Sequence, residues 1–266
     1  MDIIIENCSS PGASFTDNTN NVMIKCYEWI TENREKVGSF SEFRRELTNY
    51  KGINADNARN IYPLLKKCGL IKYESRGSLI YNDFFTENGL AYVKMLLLIE
   101  KLIQANDDKS IKALKKALEI KEEIIYQGLL NLIFFSEANY KTELCAMIKF
   151  IICFGKINRN EFAYLLYELS DKKDLYSDSF VSNILDYRNR KIDITVRIRV
   201  RNDIEIREKT NEQTRLESLS YFTPYTYLSS LLLQAGILHK GENNYLYLDN
   251  SKKKKCEYLV EEKENG

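Results

Sequence analysis

Three arginines stand on alternate residues in the segment Arg197-Ile198-Arg199-Val200-Arg201. The apolar residues Ile192, Ile194, Val196, Ile198 and Val200 alternate with polar ones, a period of two that predicts a strand with an apolar face and an arginine face. On a strand, side chains two residues apart project about 6 to 7 Å from one another. A guanidinium keeps its charge and offers its donors in a planar fork, so such a row suits phosphates spaced along a nucleic-acid backbone. Arg188, Arg190 and Lys191 lie just upstream, while Asp193, Glu205 and Glu208 leave open the alternative of a charge-balanced, solvated sheet face. A second group, Asn54, Asp56, Asn57, Arg59 and Asn60, crowds the start of a predicted helix. Arginine can pair two-pronged with guanine and asparagine with adenine, so these residues suit base readout in a major groove. The other reading is that they cap the helix and solvate it. Arg76 at one predicted turn tip, and His239 and Lys240 before another, are placed to touch phosphate or a minor groove.

Catalytic chemistry is harder to assemble. A metal-dependent nuclease needs two acids and a lysine on adjacent strands, and only Asp193, Asp203, Glu205 and Lys209 approach this. The usual Glu-x-Lys is replaced by Glu205-Ile206-Arg207, and arginine stays protonated, so it cannot act as a base. Cys8, Cys26, Cys68, Cys145, Cys153 and Cys256 form no Cys-x-x-Cys pair and His239 is the single histidine, which argues against zinc. Cys145 and Cys153, in an apolar helical stretch, read as core thiols. Nucleophile elbows and phosphate-cradling glycine loops are absent from the sequence. No catalytic residue, metal ligand or cofactor is therefore expected in the chain, and Mg²⁺ would enter only with an associated nuclease domain or subunit.

The elements that must position these residues follow from periodicity. The 266 residues suffice for two domains, and 44% hydrophobic with 29% charged residues match a folded protein. The net charge of +1 confines any nucleic-acid surface to a local patch. Residues 1–20 lack helical periodicity and read as a flexible lead-in. Met23, Cys26, Trp29 and Ile30 then mark a first helix. Ser41 is expected to cap a second helix with Phe43 and Leu47 inward, and Asn54 a third over Ala55 to Lys67, stopped by Gly69. Leu70 to Tyr73 and Ser78 to Tyr81 read as a hairpin, and Thr86 caps a long helix beyond it.

Ser230 to Leu238 realigns with Pro63 to Ile71 at an offset of 167, Gly236 falling on Gly69, and Tyr245 to Leu248 supplies a returning strand. Thr223-Pro224 starts the helix of this second unit. Between the two, Lys109 to Ala138, Lys141 to Phe154, and a helix capped by Asn158 form a helical bridge, with a short helix over Ser179 to Tyr187. The expected fold is mainly α with small β-wings: tandem winged helix-turn-helix units joined by a helical bridge. Its expected boundaries are a flexible segment 1–20, a winged-helix domain 21–105, the bridge plus a second winged-helix domain 106–250, and a charged tail 251–266.

The run Leu64-Leu65-Lys66-Lys67-Cys68-Gly69-Leu70-Ile71, followed by Phe85-Thr86-Glu87-Asn88-Gly89-Leu90, resembles the end of a recognition helix and the start of the helix after the wing in winged-helix proteins. Phe150 to Gly155, Asn158 to Leu169 and Ile184-Leu185-Asp186-Tyr187-Arg188-Asn189-Arg190, with the C-terminal helix and wing, are similar to the recognition halves of type IIS restriction and nicking endonucleases of the AlwI and FokI kind. The resemblance implies sequence-specific binding of double-stranded DNA as the recognition module of a restriction-modification system, with cutting left to a separate nuclease domain or subunit. The alternatives are a winged-helix transcriptional regulator, which would act as a dimer, and a protein-interaction scaffold that binds no DNA. Neither a basic leader with a long apolar core nor a membrane-length apolar run is found, so a cytoplasmic protein is expected.

Overall fold

The computed structural model describes residues 1–6, 8–53, 55–72, 78–105, 107–170, 177–201, 214–218 and 222–261. It is mainly helical, with small β-sheets, and divides into two compact units. The first unit comprises residues 11–141 and 229–238; the second comprises 1–10, 142–228 and 239–266. No helix among the described residues is long and apolar enough to cross a membrane.

The chain opens on strand β1 (Asp2–Glu6), which belongs to the second unit. In the first unit α1 (Asp17–Glu32) turns Val22, Met23, Cys26, Trp29 and Ile30 inward, the three- and four-residue spacing of one helical face. Strand β2 (Val37–Ser39) runs directly into α2 (Phe40–Lys51). Ser39 caps that helix: its hydroxyl accepts from the Glu42 N–H at 3.2 Å, and the Glu42 carboxylate accepts from the Ser39 N–H at 2.7 Å. The cap thus sits two residues before the expected Ser41, because the reciprocal capping box needs its glutamate three residues on. Helix α3 spans Ala55–Lys67, the range its periodicity predicts. Trp29, Phe43, Tyr81 and Phe84 form an aromatic nucleus, with Trp29 to Tyr81 at 5.0 Å and Phe43 to Phe84 at 4.8 Å between ring centroids.

Strand β3 (Ser78–Ile80) pairs antiparallel with β2, Val37 opposite Ile80, rather than with residues 70–72. Ile71 instead bridges Phe85, and the Lys72 N–H donates to the Phe84 carbonyl at 2.7 Å. The expected turn at residues 74–77 lies outside the described residues. Thr86 then joins two elements: its hydroxyl accepts from the Gly89 N–H at 3.0 Å, capping α4 (Glu87–Ala105), and donates to the Gly69 carbonyl at 2.7 Å. Asp107 caps α5 (Asp108–Leu130), which packs along α4 and runs on into a π-helical turn over Asn131–Phe135.

The second unit holds α6 (Lys141–Phe154), β4 (Lys156–Ile157), α7 (Arg159–Ser170), α8 (Asp178–Arg188), β5 (Thr195–Arg201) and β6 (Thr214–Ser218). Beyond them come α9 (Thr223–Gln234), where the division between units falls, β7 (Leu238–Lys240), β8 (Leu246–Leu248) and α10 (Lys253–Glu261). One sheet has the order β1-β5-β6, with β1 parallel to β5 and β6 antiparallel to it. Ile3, Ile5, Val196 and Ile198 are buried on one face of it, and α7 packs against β1 and β5. The other sheet has the order β4-β8-β7.

Two expected termini are therefore corrected. Residues 1–20 are not a loose lead-in, since β1 is paired, Phe15 is buried edge-on to Tyr92 at 5.6 Å, and α1 has begun by Asp17. Local periodicity could not show this, because the partner of Ile3 is Val196. Nor is 251–266 simply a charged tail: α10 buries Cys256, Leu259 and Val260 beneath its charged face.

The offset of 167 is matched in backbone chemistry. Gly69 and Gly236 are both left-handed, φ 67° and 65°. Gly69 N–H donates to Lys66 O and Leu70 N–H to Leu65 O, at 2.8 and 2.9 Å; Gly236 N–H donates to Leu233 O and Ile237 N–H to Leu232 O, at 3.1 and 3.0 Å. Both helices end in the same Schellman closure. The starts of α2 and α7 match as well, for Asn158 and Glu161 form the same pair as Ser39 and Glu42. Ser39 to Asn158 is an offset of 119 and Gly69 to Gly236 one of 167, a difference of 48 residues, which hold α8, β5 and β6. Thr86→Ala should remove a cap and the tie to Gly69 together, lowering unfolding free energy by about 1 to 2 kcal/mol in urea titration. A loss within 0.3 kcal/mol, roughly the uncertainty of such a titration, would contradict that double role.

Candidate nucleic-acid interface

The site in the second unit is built on one buried carboxylate. Glu161, at the third position of α7, is fully buried, and Arg188 at the end of α8 reaches it through Nε to Oε1 at 2.7 Å and Nη2 to Oε2 at 3.1 Å. Arg188 Nη1 also donates to the Phe154 carbonyl at 3.1 Å, and Nη2 to that of Lys156 at 2.8 Å. The Tyr245 hydroxyl donates to Glu161 Oε1 at 3.2 Å, and the Asn158 N–H to Oε2 at 3.3 Å. Burial, then the Glu161 charge and its hydrogen bond, hold that hydroxyl protonated well above the usual tyrosine range. The end of α6, β4, both helices and the β7–β8 connection are thereby fastened to one ion pair. Arg188 is thus a structural residue whose charged group faces inward, against the expectation that it meets DNA.

Two residues on, Arg190 does the opposite. The end of α8 closes like α3 and α9, Arg190 N–H to Tyr187 O at 3.0 Å and Lys191 N–H to Asp186 O at 2.9 Å. The left-handed position that Gly69 and Gly236 fill is here occupied by an exposed arginine, φ 58°. A side chain at that conformation costs about 1 kcal/mol relative to glycine.

On β5, Arg197 and Arg199 are exposed and share the face opposite Val196 and Ile198, as the alternation predicts. Arg201 is the last residue of the strand. In register beside them stand Ile4 against Arg197 and Glu6 against Arg199 on β1, and Ser218, Leu216 and Thr214 against Arg197, Arg199 and Arg201 on β6. The exposed face of β5 thus carries Arg197 and Arg199. Sequence reasoning missed both bordering strands.

On the small β4-β8-β7 sheet, Lys240 and His239 are exposed. His239 stacks on Tyr247 at 5.9 Å, and Lys156 Nζ lies 4.4 Å from the Tyr245 ring centroid and 5.6 Å from that of Tyr247. The alternation Tyr245-Leu246-Tyr247-Leu248 was the signal for these two tyrosines; Lys156, on a strand of two residues, had none. In the first unit Arg59 and Asn60 are exposed on α3, with Asn60 lying against Gly12. Asp56 and Asn57 belong to the first turns of α3, and Asn54 and Arg76 lie outside the described residues.

Among the described residues no group of three histidine, cysteine or acidic side chains is placed to hold a metal ion, and Asp203, Glu205 and Lys209 lie outside them. Cys145 is buried as expected, but Cys153 is exposed, on the outward side of α6. No protein-family pattern, no curated protein and no solved structure matches this chain.

Arg188→Ala leaves the Glu161 carboxylate buried and unpaired, and should cost about 3 to 5 kcal/mol in urea unfolding. Replacing both residues by methionine should recover most of that loss, because no charge is then left buried. A cost below 1 kcal/mol for Arg188→Ala, the order of an exposed pair, would remove the ion pair from its central place.

Proposed function

We propose that this chain binds double-stranded DNA sequence-specifically through two winged helix-turn-helix units, as the recognition module of a restriction-modification-type endonuclease. The observation that carries this reading is the recurring order helix, short strand, box-capped helix, then a glycine-closed helix leading into β-structure. In each occurrence α3 or α9 takes the place of the recognition helix, which in this motif enters the major groove. On α3 the exposed Arg59 and Asn60 offer the donors that base edges accept. The insertion in the second unit adds Arg197, Arg199 and Arg201 for the phosphate backbone, with Lys240 on the wing. Cutting is assigned to another domain or subunit.

Arg190 separates folding from binding in one experiment. Arg190→Gly relieves the left-handed strain and should raise unfolding free energy by about 1 kcal/mol while weakening binding to a duplex. Arg197→Ala and Arg199→Ala should each weaken binding to all sequences and reduce the slope of log affinity against log salt by about 1. Arg59→Ala should instead relax preference at one base pair, read from sequences selected out of a random duplex pool. Affinity independent of salt in the unaltered chain would replace this reading with that of a protein-interaction scaffold.

A further inference from the structure

Helices α3 and α9 correspond residue by residue at the offset of 167, and so do the sides they bury. Ile61, Tyr62, Leu64 and Leu65 are buried on α3, as are Leu228, Ser229, Leu231 and Leu232 at the matching positions of α9. The outward positions therefore match too. Arg59 falls on Thr226 and Asn60 on Tyr227; Arg59, Asn60 and Thr226 are exposed and Tyr227 is half-buried. Where the first unit presents the two side chains best suited to pair with guanine and adenine, the second presents a threonine and a tyrosine.

The difference extends along the helix. Residues 223–234 include no Asp, Glu, Lys or Arg, and the single amide, Gln234, is the last residue, at the end opposite the one that enters the groove in this motif. The other exposed residue of the first turn, Thr223, is again a threonine. Beside this end stands a cation: the guanidinium of Arg159, the first residue of α7, lies 5.7 Å from the ring centroid of Tyr225. The first helix of a helix-turn-helix crosses the backbone, so Arg159 suits a phosphate while α9 offers no charge to a base. What so uncharged a face can distinguish follows from the base edges. A hydroxyl both donates and accepts, so it pairs with any base and chooses none. A methyl group does choose, because thymine is the base that carries a methyl in the major groove.

We infer that α9 reads thymine, through contact of the Thr226 methyl and the Tyr227 ring with the C5-methyl group of the base. The two units thus divide the site, α3 choosing base pairs by hydrogen bonds and α9 by apolar contact. The inference rests on the DNA-binding reading and names the base that its second unit selects.

The probe is the duplex that the full chain selects from a random pool. Repeating the selection with Thr226→Ala marks the base pairs that α9 reads, and these should be T·A pairs. Deoxyuridine lacks only the C5-methyl of thymidine, and in its place at those positions it should weaken binding about fourfold, the worth of one buried methyl group. Thr226→Ser keeps the hydroxyl and should bind the thymine and uracil duplexes alike. Thr226→Val keeps the methyl and should still tell them apart. Thr226 is exposed, and an unchanged thermal transition by circular dichroism identifies variants that remain folded. Three results would each overturn the inference: uracil bound as tightly as thymine, discrimination that survives in Thr226→Ser, or a Thr226→Ala preference relaxed at a G·C pair or at no pair. Salt-dependent affinity for the duplex alongside any of them leaves the DNA reading standing, whereas affinity independent of salt removes both.

Discussion

The Glu161–Arg188 pair fixes the second unit, because a buried carboxylate must be neutralised and its lone pairs filled, or the fold loses several kcal/mol. Glu161 meets this demand with a guanidinium, a phenol and a backbone N–H drawn from three stretches of chain far apart in sequence. The guanidinium's remaining donors close the carbonyls of Phe154 and Lys156, where α6 hands over to β4. Every element around the pair is held at a set distance and direction by hydrogen-bond geometry, whereas apolar packing alone would tolerate sliding. The first unit has the same capping box but a different solution, for Glu42 stays on the surface and an aromatic nucleus around Trp29 supplies the rigidity.

This difference explains how the second unit carries 48 additional residues between its second and third repeated helices without losing the shared pattern. The insertion is entered from α7 and includes α8, whose last residue is Arg188. The ion pair ties that far end of α8 back to the beginning of α7, so the inserted segment is anchored where it would otherwise swing free. The three-stranded sheet then rests its apolar face on α7, leaving the arginine row outward.

Much of this was legible in the sequence wherever a pattern repeats within a few residues. The limits of α3 and α6, the strand phase that exposes Arg197 and Arg199, and the 167-residue correspondence of Gly69 with Gly236 are of that kind. What escaped depends on partners far along the chain. Val37-Gly38-Ser39 has too few apolar residues to announce a strand, and β1 has meaning only beside β5. Arg188 and Arg190, two residues apart and alike in type, could not be told apart by composition, though one turns into the core and the other outward. The distinction lies in helix phase and in a carboxylate 27 positions earlier.

The parallel pairing of β1 with β5 carries a consequence for how the chain comes together. Residues 11–141 can complete most of the first unit as soon as they leave the ribosome, since nearly all of its elements are contiguous. β1 precedes β5 in the chain and has no sheet to join until β5 exists, and closing so long a loop is entropically slow. Ile3, Ile4 and Ile5 must therefore wait as an unpaired apolar strand until β5 has been made. A strand made well before its partner is thus late to find its place, and until then its apolar side chains lack the cover that the sheet and α7 give them.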